Sequence, residues 1–101
     1  YGSWIGLMPF VSAGLLVVAS SRAEWSDWDE HHQALRESLD RTPMAERDLA
    51  IPLERAGDLA HLEGQELKAQ QAWRLAQAQW VAIDDQASVD RLARRLNPQR
   101  C

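Results

Sequence analysis

Two adjacent histidines, His31 and His32, lie among Asp27, Asp29 and Glu30, and metal binding is the chemistry such a group would serve. Asp27 and His31 stand four apart, the spacing that brings two ligands to one side of a helix. Adjacent residues on a helix point about 100° apart, so His31 and His32 cannot both face one ion without a bend. His61 is the remaining histidine, and no motif ties it to the pair. No H-E-x-x-H, C-x-x-C, Walker loop or G-x-S-x-G occurs. Cys101 is the sole thiol and ends the chain, so neither an internal disulfide nor a sheltered nucleophile is expected. Asp84-Asp85 fits a helix-ending turn better than a cation site. The expectation is a non-enzymatic protein with no catalytic residue, no metal and no cofactor.

The elements that carry these residues divide sharply. Every charged side chain of the 101-residue chain falls from Arg22 onward, and Tyr1 to Ser21 has none. The net charge of −4 argues against a nucleic-acid partner, which calls for clustered positive charge. Arg91, Arg94, Arg95 and Arg100 do gather near the end, but on one face of one helix.

The segment from Trp4 to Ser21 is apolar all round and contains Gly6, Pro9 and Gly14. As a helix its 18 or so residues extend roughly 27 Å, at the short end for a bilayer. Trp4 at one end, with Trp25 and Trp28 beyond the other, fits a membrane-interface belt. This reads as a transmembrane or signal-anchor helix over 1–22, contacting lipid through residues 4–21. A signal-peptide remnant over 1–23 and a buried core helix are the alternatives. Single-pass membrane localisation follows, with the polar tail outside the cytoplasm, on the periplasmic side if the source is bacterial.

The tail reads as helices throughout, rich in Ala, Leu, Gln, Glu and Arg. A first helix capped by Ser26 would bury Trp28, His32, Leu35 and Leu39, with Glu37 and Arg41 paired outside. Thr42-Pro43 would open a short helix ending at Ile51, with Pro52 opening the next helix or kinking a longer one. Leu53, Ala56, Gly57 and Ala60 then form a small-residue face before a turn at Gly64. The next helix carries Ala69, Ala72, Trp73, Ala76, Trp80 and Ile83 on one stripe. A last one turns Val89, Leu92, Ala93 and Leu96 inward and pairs Asp90 with Arg94.

Leu53-x2-Ala56-Gly57-x2-Ala60 followed by Ala69-x3-Trp73 and Ala76 resembles the tetratricopeptide (TPR) repeat, a helix–turn–helix unit. Ala60 stands where that family has a large aromatic, and Val81 where it has Pro. The resemblance implies close packing of paired helices, with Gly57 and Ala69 permitting the approach and Leu53 and Trp73 filling it. It also implies a protein-binding role, since such units stack on neighbours.

The fold expected is all-α: the anchor, a linker with short helices over 23–51, a TPR-like hairpin with capping helix over 52–97, and a tail over 98–101. The function expected is a membrane-anchored accessory or scaffold subunit that binds or stabilises a protein partner in a membrane complex. A secreted or periplasmic soluble binding module is the alternative. Trp28, Trp80, Arg91, Arg94 and Arg95 are the candidate partner contacts.

Overall fold

The computed structural model describes residues 2–96, with side-chain packing from Pro9 onward. Five helices succeed one another: α1 (Gly2–Arg22), α2 (Trp25–Arg41), α3 (Arg47–Leu62), α4 (Glu66–Ala82) and α5 (Gln86–Leu96). No strand occurs among the described residues. α1 packs on α2 and α3, α3 on α4, and α4 on α5.

Three of the four connections are one turn used repeatedly. Ala23, Gly64 and Asp84 each adopt positive φ, at 56°, 77° and 63°. The next residue donates its N–H back to a carbonyl five positions earlier: Glu24 to Ala19 (2.9 Å), Gln65 to Ala60 (2.9 Å) and Asp85 to Trp80 (3.0 Å). This is the Schellman closure, which satisfies a helix's orphan carbonyls. The same three residues then accept the first bond of the following helix, from Trp28, Ala69 and Val89. The turn therefore starts α2 at Trp25, and Ser26 is not its cap. Asp85 does cap α5, its Oδ1 accepting from the Ser88 N–H at 3.2 Å.

The fourth connection departs from the sequence reading. No helix opens at Pro43; instead the buried Gln79 of α4 takes the place of helical partners. Its Nε2 donates to the Met44 carbonyl and its Oε1 accepts from the Glu46 N–H, both at 2.9 Å. α3 then starts at Arg47 and runs through Pro52. The carbonyl that loses its partner there belongs to the exposed Asp48, where water can replace the missing donor.

The small-residue face of α3 meets α4 directly. Leu53, Ala56, Gly57 and Ala60 are buried against Ala69, Ala72, Trp73 and Ala76. At Gly57 there is no room for a side chain, because a Cβ would stand 2.4 Å from Cδ1 of Trp73.

The N-terminal helix corrects the sequence reading most. Among the described residues no helix is long and apolar enough to cross a membrane. Pro9, Ser12, Ala13, Leu16, Ala19 and Ser20 of α1 are buried. The Ser20 hydroxyl accepts from Trp28 Nε1 at 2.9 Å and makes a longer bond, 3.4 Å, to the Ala56 carbonyl. The apolarity of its inner face from Pro9 to Ser20 therefore serves a protein core. The transmembrane anchor, the single-pass localisation with its sidedness, and the lipid contact of residues 4–21 are all set aside. So is the interfacial belt: Trp28 is fully buried and Trp25 half-buried, while the side chain of Trp4 lies outside those described.

Because the indole of Trp73 fills the space above Gly57, Gly57→Ala is expected to destabilise the bundle by about 1–3 kcal/mol. Chemical denaturation measures this, and an unchanged midpoint would contradict the close approach.

Candidate functional site

Glu54, Asp58 and His61 fall four and three apart, on one side of α3. Arg91 and Arg95 fall four apart on α5, and the two rows meet. Arg91 donates through Nε and Nη2 to both oxygens of Glu54, each at 2.7 Å. Arg95 Nη1 donates to Glu54 as well and lies 3.6 Å from Asp58. Burial alone would raise the Glu54 pKa, but the hydrogen bonds and charges of Arg91 and Arg95 outweigh it. They hold the carboxyl below its ordinary value.

Beside this triad a cleft of about 390 Å³ is lined by Asp58, His61, Leu62, Glu66, Trp73 and Arg95. Trp73 is nearly buried, and its Nε1 donates to Asp58 Oδ1 at 3.0 Å. The His61 ring lies tilted 5.6 Å from the Trp73 ring, and its Nδ1 is 2.7 Å from Glu66 Oε1. Glu54, Asp58 and Glu66 all have partners already, so the cleft offers an apolar wall with a fixed polar rim. Such a lining suits binding better than proton transfer. Leu62 and Leu67, close by in the chain, are both strongly exposed.

A second surface lies on the outer side of α1. Val11, Leu15 and Val18, spaced four and three, are 51, 39 and 44% exposed. Gly14 falls among them and has open space where a side chain would stand. The helix is thus apolar on its buried side and apolar again on the outer one.

The residues expected to contact a partner are placed differently. Trp28 and Trp80 are both buried, and the Trp80 Nε1 has no hydrogen-bond partner among the described residues. Arg91 and Arg95 turn onto Glu54, leaving Arg94 as the exposed one of the three. His31 is half-buried, and His32 stacks on Trp28 with ring centroids 5.3 Å apart. Among the described residues no group of three His, Cys, Asp or Glu side chains is placed to hold a metal. Arg100 and Cys101 lie outside the described residues.

The expected pairs Glu37–Arg41 and Asp90–Arg94 do not form. Glu37 and Asp90 instead accept from Gln33 (3.2 Å) and Gln86 (2.9 Å), each one turn earlier. Glu54 escaped the sequence reading altogether, and His61 was noted there without a role. The available signal was the matched spacing of Glu54 and Asp58 with Arg91 and Arg95, which puts opposite charges on two helices in one register. Comparison with protein-family models, curated proteins and solved structures found no match.

A carboxyl held below its ordinary value of 4.5 stabilises the fold fully above that pH, and the contribution is lost as pH falls through the lower folded-state value. Melting curves should show Glu54→Gln less stable than the parent at pH 7. The two midpoints should converge in acid. Equal midpoints at pH 7 would show that the triad contributes nothing.

Proposed function

We propose that this chain is a non-catalytic helical interaction module that docks on a partner protein through the outer face of α1. The observation that carries this reading is the exposed row Val11, Leu15 and Val18 on a helix already buried on its other side. A soluble helix normally turns one apolar stripe to its core and a polar face to water. Here the second face is also apolar, and contiguous exposed apolar surface marks interaction sites. Ordering cost is low, because the helix is already held by α2 and α3 and need not fold on binding.

The resemblance to tetratricopeptide repeats supports the same reading. In arrays of that kind a helix pair buries its remaining apolar face against the next unit. The thrice-repeated turn of this chain suits such stacking. The partner would present a complementary apolar helical surface to α1.

A photo-crosslinking residue at position 15, in cells of the source organism, tests the proposal. One discrete protein adduct is expected, lost in Val11→Asp with the melting temperature unchanged. A crosslinker at the exposed position 55 of α3 serves as control. If position 15 gives the same scattered products as position 55, docking through α1 is wrong.

A further inference from the structure

α2 and α4 leave a groove between them, bridged at one point by Lys68, whose Nζ lies 3.3 Å from Asp29. The groove holds about 350 Å³ and is lined by His32 and Arg36 from α2 and by Gln71, Arg74 and Leu75 from α4. None of these five is acidic, in a chain whose net charge is −4. Neither Arg36 nor Arg74 forms an ion pair with any described residue. This contrasts with Arg91 and Arg95, which spend their charge on Glu54.

His32 supplies a second, independent observation. Its side chain sits in a residue only 8% exposed, yet it hydrogen-bonds to no described residue. One ring face is covered by Trp28, neither nitrogen is fully buried, and the residue lines the groove. Burial first, and then the charge of Arg36, lower its pKa, with Asp29 opposing. The ring is therefore neutral at pH 7 and retains one N–H to donate.

We propose that this groove is a binding site for a doubly charged oxyanion of the phosphate type, either free or carried on a peptide. Arg36 and Arg74 supply planar donor forks from opposite walls, matched to the spacing of phosphate oxygens. His32 donates from the floor, and the Gln71 amide adds a neutral donor. Leu75 gives an apolar wall to whatever chain carries the anion. At about 30 Å³ per water the groove holds on the order of ten waters, more than a phosphate displaces, so a carrier has room. The site is separate from the outer face of α1 and stands whether or not that face docks a protein.

The test is a titration of the His32 ring nitrogens, followed by NMR at constant ionic strength. The probes are inorganic phosphate and a short phosphoserine peptide, with chloride as control. A saturable shift with phosphate or with the peptide, and none with chloride, is expected. Arg36→Gln and Arg74→Gln should each weaken binding about tenfold or more, the loss of one charge-assisted donor pair. Arg55→Gln, on the exposed side of α3, should leave it unchanged. Equal affinity for the two probes identifies the free anion as ligand, and tighter peptide binding identifies a phosphorylated segment. The proposal fails if neither probe gives a saturable shift, or if the Arg36 and Arg74 variants bind as the parent does while melting at the same temperature.

Discussion

One buried hydroxyl joins three helices. Ser20 of α1 receives the indole N–H of Trp28 from α2 and reaches the Ala56 carbonyl of α3. The largest fully buried side chain among the described residues is thereby fixed in the core with its polar atom satisfied. Much else follows from that arrangement. Trp28, held flat, gives His32 a surface to stack on, and this places the imidazole at the floor of the α2–α4 groove. Ser20 keeps α1 in one rotation about its axis, so Leu16 and Ala13 face inward while Val11, Leu15 and Val18 face out. Both proposed surfaces therefore depend on the same node.

The helix faces of the C-terminal half were legible in the sequence. Leu53, Ala56, Gly57, Ala60, Ala69, Ala72, Trp73, Ala76 and Trp80 recur with helical period, and all are buried. Periodicity is a local property, so a local reading recovers it. The head was read wrongly because an apolar helix looks the same whether lipid or protein surrounds it. Ser12 and Ser20, eight apart on the face with Ala13, Leu16 and Ala19, were the available clue, since small and polar residues cluster where a helix meets another closely. The Gln79 clamp and the Glu54 triad were not legible in this way. Each joins residues more than thirty apart, and only the folded chain brings them together.

Charge in this small bundle is distributed unevenly over its faces. On the α3–α5 side two arginines converge on one carboxylate, which closes that end and leaves a cleft with its polar groups already committed. On the α2–α4 side, two arginines have no such partner among the described residues. Cations left uncompensated beside a partly buried, unpartnered imidazole keep donor capacity for something from outside. A net charge of −4 conceals this contrast, because it averages over faces of different charge.

The central claim is that α1 belongs to the folded core, with one side buried and one side presented. Native-state hydrogen exchange tests it most directly, amide by amide over residues 10–20. The account predicts that these amides are protected to the same degree as those in the centres of α3 and α4, because all three helices open together. Rapid exchange of α1 while α3 and α4 stay protected would show it to be an independent appendage, and would contradict the account.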